Sequence, residues 1–215
     1  MKSVLLIGVG KFGSLVAKEL YRMGHQTMAV DVDERKVTDI MRYVTDAQIG
    51  DSTDPAFLRS LGIAGFDLCI VAIGEDFQSS LETTSLLKEM GAKMVVARAD
   101  RDIQEKFLLR NGADEVVNPE MQVAKWTVIR YTSEHILDFI QLDESHAIFE
   151  VSIPSRWIGK SISQIDIRKK YGINIMAVKD RGKMELSVLP SMILNKDMKL
   201  LILGEQKAMQ KCFRT

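Results

Sequence analysis

Through residue 118 two hydrophobic rhythms alternate along the chain: short apolar-rich runs, and segments in which apolar positions return every three or four residues. The runs at 3–7, 26–31, 46–49, 67–73, 93–98 and 115–117 predict strands, and the segments between them predict helices starting near residues 11, 33, 54, 76 and 102. Several of these starts carry acids or caps suited to a helix dipole, at Asp33-Glu34, Asp54-Pro55, Glu75-Asp76 and Asp102. Six strands joined by crossover helices predict an α/β fold, a Rossmann-like, doubly wound parallel sheet. Residues 119–132 predict a further helix, apolar around most of its circumference through Met121, Val123, Ala124, Trp126, Val128, Ile129 and Tyr131. Such a helix must be covered on every side. Because the sheet is complete before it begins, the cover comes either from a second subunit or from the chain's own C-terminal part.

Beyond this helix the rhythm changes. Residues 133–145 read as a linker holding a short strand, Ile136 to Leu142. From His146 the alternation Ala147-Ile148-Phe149-Glu150-Val151-Ser152-Ile153 predicts a half-buried strand, followed by a helix from Ser163 to Tyr171 and strands at 173–179, 184–189 and 198–203. Asp180-Arg181-Gly182-Lys183 supplies a hairpin turn, and a helix at 205–213 closes the chain. The expected organisation is thus a first domain at 1–132, a linker at 133–145 and a small α+β domain at 146–215.

The first strand runs directly into Gly8-Val9-Gly10-Lys11-Phe12-Gly13, and Asp31 ends the next strand eighteen residues after Gly13. This is the layout of a nucleotide-binding βαβ unit. Gly8 allows the tight turn, Gly10 lets backbone amides approach a pyrophosphate, and Gly13 lets the helix pack closely on the sheet. The phosphates then sit at the positive end of a helix dipole. Asp31 is placed to accept from a ribose diol and would repel a 2′-phosphate, which favours NAD(H), ATP, ADP or AMP over NADP(H). In such sheets ligands bind beyond the carboxyl ends of the strands, where Asp31 to Asp33, Gly50-Asp51-Ser52-Thr53, Gly74 and Arg98 complete a rim. Asp51 and Ser52 suit an adenine edge or, equally, a cap for the helix at Asp54. Lys11 and Arg98 suit phosphates or plain solvent.

Lys plus Arg and Asp plus Glu balance at 29 each, so no global positive field exists to hold nucleic acid. Cys69 and Cys212 form no CxxC pair, no secretory signal precedes the first strand, and no run reaches the roughly 18 apolar residues of a membrane span. A reducing cytoplasm is the expected location. His25, His135 and His146 fall at the wrong end of the sheet, in the linker and in the second domain, and no zinc, GxSxG or Walker pattern occurs. The chain is equipped to bind a nucleotide and poorly equipped to transform one. The alternative, an NAD-linked oxidoreductase, would need a placed acid or base beside the nicotinamide.

Together Val9-Gly10-Lys11-Phe12-Gly13, Ala29-Val30-Asp31-Val32-Asp33, Gly50-Asp51-Ser52-Thr53-Asp54, Leu61-Gly62-Ile63, Val71-Ala72-Ile73-Gly74, Gly112-Ala113-Asp114, Asn118-Pro119-Glu120 and Ile158-Gly159-Lys160-Ser161 resemble the RCK (regulator of K⁺ conductance) family, in its KtrA/TrkA-type form with TrkA-N and TrkA-C domains. The resemblance implies a non-enzymatic cytosolic subunit of a bacterial potassium uptake system. Its homodimers would close into a ring, with an octamer as the expected count, docked beneath a separate K⁺-translocating membrane protein. It implies an adenine nucleotide, ATP/ADP or NAD(H), on Gly8, Gly10, Lys11, Phe12, Gly13, Asp31, Asp33, Asp51, Ser52 and Gly74, with Arg98 near the phosphates. Lys11 stands where many members have arginine, which keeps the charge and loses the planar fork. Glu120 corresponds to a carboxylate that in some members holds a cation, Mg²⁺ or Na⁺, at the dimer interface; placement at a helix N-terminus explains an acid there equally well. In the second domain the resemblance implies a cyclic di-AMP site across a dimer interface. There Arg168 would meet a phosphate, Asn174 an adenine edge, and Ile162, Ile165 and Pro190 its faces, unless 162–174 is an ordinary amphipathic helix and turn.

Overall fold

The computed structural model describes residues 1–143 and 145–213. The chain divides into two compact units, Met1–Met121 and a second beginning at Gln122. The first contains β1 (Ser3–Ile7), α1 (Lys11–Arg22), β2 (Gln26–Asp31), α2 (Glu34–Ile40), β3 (Asp46–Ile49), α3 (Pro55–Ser60), β4 (Leu68–Val71), α4 (Phe77–Glu89), β5 (Val95–Arg98), α5 (Asp102–Arg110) and β6 (Glu115–Val117). Every pairing is parallel and the strand order is β3-β2-β1-β4-β5-β6. This is the doubly wound sheet that the apolar runs predict. Alternate side chains of β1 feed its two faces: Leu5 and Ile7 join one core with Leu58, Val71, Leu87 and Leu108, while Leu6 joins the other with Val9, Ala17, Ala29 and Ile40. Cys69 lies in the first of these cores, where burial pushes its thiol up to about 12.

Three helix starts are capped by the acids that the sequence places there. Asp33, Asp54 and Asp76 accept the backbone N–H of Arg35, Ala56 and Ser79 respectively. At α5 the cap comes from within the helix, because the Gln104 side chain accepts the amides of Asp100 and Arg101.

The helix expected at 119–132 is α6 (Pro119–Thr132), which carries the chain from the first unit into the second. The second unit continues with β7 (Ile136–Gln141), β8 (His146–Ser152), α7 (Ile162–Ile165), α8 (Ile167–Tyr171), β9 (Asn174–Asp180), β10 (Lys183–Glu185), β11 (Lys199–Glu205) and α9 (Gln206–Phe213). Its five strands form an antiparallel sheet in the order β10-β9-β11-β8-β7. Phe149, Val151, Trp157, Ile173, Leu194, Leu200, Ile202 and Met209 pack its core. The segment 133–145 contributes β7 to this sheet, paired with β8, and Phe139 stacks on Phe149. A register shift between Ile136 and Asp138 interrupts the alternation that marks a strand.

Two further elements differ from expectation. The helix expected from Ser163 to Tyr171 is broken into α7 and α8 at Asp166, which adopts a left-handed conformation with φ 52°. The strand expected at 184–189 ends at Glu185, because the following residues leave the sheet edge. There the carbonyls of Pro190 and Met192 accept the amides of Ser163 and Ile162 and so satisfy the start of α7. The β9–β10 hairpin closes through Arg181 and Gly182, both at positive φ, the requirement of a type I′ turn. No described helix is long and apolar enough to cross a membrane.

Candidate functional site

Strand order reverses between β1 and β4, and a crevice opens there beyond the carboxyl ends of the strands. The Gly8 amide donates to Val30 O at 2.8 Å, and its φ of 90° turns the chain off β1. A Cβ at Gly8 would stand 3.0 Å from the Ala72 carbonyl carbon and the Ile73 nitrogen, and one at Gly13 would overlap the Gly8 carbonyl oxygen. Gly10 differs: nothing lies within 4 Å of its Cβ position. Closely packed glycines thus flank an open one at the N-terminus of α1. No side chain caps that terminus, so its amides and dipole face the crevice.

Asp31, only 8% exposed, holds the loop in place. Its Oδ2 accepts the Val9 amide at 2.7 Å, its Oδ1 accepts the Asp33 amide at 2.9 Å, and Lys36 Nζ stands 3.8 Å from Oδ1. An ionised carboxylate has roughly four acceptor positions, so Asp31 keeps capacity for ribose hydroxyls while ordering the phosphate loop. Asp51 Oδ1 accepts both the amide and the hydroxyl of Thr53, the hydroxyl most strongly, which holds its carboxyl below the usual range. Ser52 is buried and its hydroxyl meets that of Thr83 at 2.8 Å. Asp54 supplies its own helix cap, so neither Asp51 nor Ser52 is needed for it. On the far wall the Arg98 guanidinium lies against Gly74, over space that any side chain at residue 74 would take. Arg98 Nη2 meets Asp100 Oδ1 at 2.9 Å and Glu120 Oε1 at 2.7 Å, and Cζ stands 5.9 Å from the Phe12 ring centroid.

These groups line one cleft of about 680 Å³. It brings together Gly8, Gly10, Lys11, Phe12, Asp31, Asp51, Ser52, Gly74, Arg98 and Glu120. Gly13 lies beneath the loop and Asp33 turns away to cap α2, so neither lines it. Lys36, Glu75, Asp76, Ser79 and Asp100 line it without having been expected. Asp100 and Glu75 lie two and four residues past the ends of β5 and β4, within reach of the carboxyl-end rule, whereas Lys36 is visible only once α2 is placed. Among the described residues no group of three or more His, Cys, Asp or Glu side chains forms a metal site, and Glu120 is paired with Arg98.

In the second unit Arg168, Asn174 and Pro190 are exposed and Ile162 is half-buried. The bond from Ser163 N–H to Pro190 O joins Pro190 to the first turn of α7, beside Ile162. Ile165 is a correction to the expected adenine-stacking face. It is 5% exposed and packs in the unit's core, since α7 is a single turn whose inward side must fill that core.

The TrkA-N domain family matches residues 4–119 and the TrkA-C domain family matches residues 146–214. Ktr system potassium uptake protein C of Bacillus subtilis is 39% identical over 203 residues, 94% of this chain and 92% of that protein. Protein A of the same system and organism is 36% identical over 210 residues, 98% and 95% of the two chains. This chain belongs to the KtrA/TrkA-type RCK family of potassium uptake proteins. The fold agrees: the GsuK RCK domain superposes with a TM-score of 0.68 at 18% identity, covering 99% of this chain and 47% of that one. A GsuK channel bound to NAD gives 0.68 at 17% identity, covering 96% of this chain and 38% of that one. The TrkA-N match takes in both β1 with its glycine loop and β5 with Arg98, so the cleft lies wholly within the RCK N-terminal domain, except for Glu120, one residue past the match.

Proposed function

We propose that this RCK chain is the nucleotide-sensing cytosolic subunit of a Ktr/Trk-type potassium uptake system. Homodimers close into a ring at the inner face of the membrane, and the occupant of the cleft sets the shape in which the ring meets its K⁺-translocating partner. The observation that carries this reading is Asp31, which ties the glycine loop open through the Val9 amide and keeps acceptor capacity for a ribose. The cleft fits the adenosine diphosphate part shared by ATP, ADP and NAD(H). Lys11, at the first position of α1 and in no ion pair among the described residues, is the group nearest in chemistry to a terminal-phosphate sensor. A second copy of the chain is the proposed cover for α6, none of whose residues is buried and whose Val123, Val128 and Tyr131 are at least 60% exposed. A cation on Glu120 would draw its other ligands from that copy. Cyclic di-AMP is proposed as an inhibitory signal on the second unit, with Arg168 on phosphate, Asn174 on a base edge, and Ile162 and Pro190 as stacking surface.

The rival reading, an NAD-linked oxidoreductase, finds little support in the cleft. His25, His135 and His146 lie outside it. Calorimetry on the full chain with ADP, ATP and NAD⁺ tests the proposal. Each should bind without turnover, and Asp31→Ala should weaken all three by roughly tenfold to hundredfold, the equivalent of one charged hydrogen bond of about 1.5–3 kcal/mol. Unchanged affinity would remove Asp31 from the site, and hydride transfer abolished by mutation of the glycine loop would favour the oxidoreductase.

A further inference from the structure

Arg98 touches both the wall of the cleft and the start of the helix that leaves the first unit. We infer that Arg98 is a shared cation for which a bound phosphate and Glu120 compete, so that filling the cleft loosens the first unit's hold on α6; this rests on the nucleotide reading above. The guanidinium has five N–H donors. Nη2 donates to Glu120 Oε1 at 2.7 Å and forms an ion pair with Asp100 Oδ1 at 2.9 Å. Nη1 lies against Gly74 at the cleft wall, and the buried Nε has no partner. Nη1 therefore keeps its donors for a phosphate arriving over the glycine loop, whereas the buried Nε is closed to it.

One positive charge would then face three anions, in a site where the Arg98 side chain is only 17% exposed. The two resident carboxylates are not equally placed to resist. Asp100 is two residues away, just past the end of β5, and its amide is anchored on the Gln104 side chain. Glu120 is 64% exposed on the first turn of α6 and has water to turn to. Glu120 is therefore the partner that lets go. It stands two residues before Gln122, where the second unit begins, so the released contact lies on the stretch of chain that joins the units.

The test is calorimetry on the full chain with ADP and with adenosine, in EDTA so that no divalent cation bridges ligand and carboxylate. Glu120→Gln removes the competitor and should tighten ADP about two- to fivefold, the range of an exposed ion pair, with adenosine unchanged. Arg98→Ala should erase that gain when combined with Glu120→Gln. Amide exchange at residues 119–123 should rise with ADP in the native chain and start high in Glu120→Gln. ADP affinity unmoved or weakened in Glu120→Gln, or a gain that persists without Arg98, overturns the competition. If the native chain binds neither ADP nor adenosine, the nucleotide reading falls with it, whereas normal ADP binding with a silent Glu120→Gln defeats the competition alone.

Discussion

Adding one methyl group at Gly10 and at Gly13 separates binding from folding. At Gly13 the new Cβ would overlap the carbonyl oxygen of Gly8 and stand 3.0 Å from its carbonyl carbon, and backbone atoms there cannot swing aside as a flexible side chain would. Gly8 is itself fixed by its bond to Val30, so α1 must move off the sheet. Overpacking of this kind costs about 1–3 kcal/mol, which for a chain of this size lowers the melting temperature by roughly 2 to 12 °C. At Gly10 the φ of −70° and ψ of −164° are open to alanine and nothing lies within 4 Å of the new atom. Stability should then stay within about 1 kcal/mol of native. The same methyl would stand where a phosphate must approach the amides of α1, and losing one such charge-assisted bond, about 1.5–3 kcal/mol, weakens ADP roughly tenfold or more. Thermal melts and ADP calorimetry on both variants give the readout. A Gly10→Ala chain that binds ADP like the native one would show that no phosphate crosses Gly10. A Gly13→Ala chain of native stability would refute the packing argument.

Two other expectations concern acid stability and the second unit. Asp67 accepts the Ser3 amide at the start of β1 and pairs with Lys93, and these two contacts, the amide first, hold its carboxyl down at about 2. A carboxyl lowered by folding stabilises above its unfolded value, near 3.9, and loses that contribution as pH falls through its folded value. Melts of Asp67→Asn should therefore show a deficit at pH 7 that narrows as pH falls through about 4 and closes only below about pH 2; a deficit that ignores pH would exclude the carboxylate as its source. Cyclic di-AMP should saturate at one per two chains, as an isologous site requires, and Arg168→Ala should abolish binding with the melt unchanged. Saturation at one per chain, or full affinity in that variant, would leave the second unit without the proposed site.

The first unit was legible because its central strands, β1 and β2 above all, are buried and stand out as apolar runs, and because Asp33, Asp54 and Asp76 mark helix starts by a local bond two or three residues long. The second unit was less so. Its strands alternate, and one irregularity is enough to blur them, as at Ile136 and Asp138 in β7. The break at Asp166 depends on a non-glycine residue in a left-handed conformation, which the sequence does not announce. For the cleft, residue types at fixed spacing carried the loop and Asp31. Pairings between distant positions did not appear: Ser52 with Thr83 lies 31 residues apart, and Arg98 with Glu120 lies 22 apart. Ile165 illustrates the converse, since an apolar residue on a short helix has the same signature whether it faces a ligand or a core.

A ligand can shift a two-state assembly only by binding its two shapes unequally, and under the proposed function the cleft would divide into parts that can and cannot do this. Gly8 and Gly13 lock the loop against β1 and β4, and Asp31 pins it through Val9. On the proposed reading these groups would meet what ATP, ADP and NAD(H) have in common, and being held rigid they would contribute affinity that is the same in either shape. Discrimination must come from groups with an alternative partner. Lys11 has solvent as its alternative and Arg98 has Glu120. Loss of Asp31 should therefore weaken every nucleotide alike and leave their ranking intact, whereas changes at Lys11 or Arg98 should alter the ranking with little effect on adenosine itself. On the proposed reading, affinity would rest on the packed glycine loop and Asp31, and discrimination on Lys11 and on the Arg98–Glu120 ion pair at the root of α6.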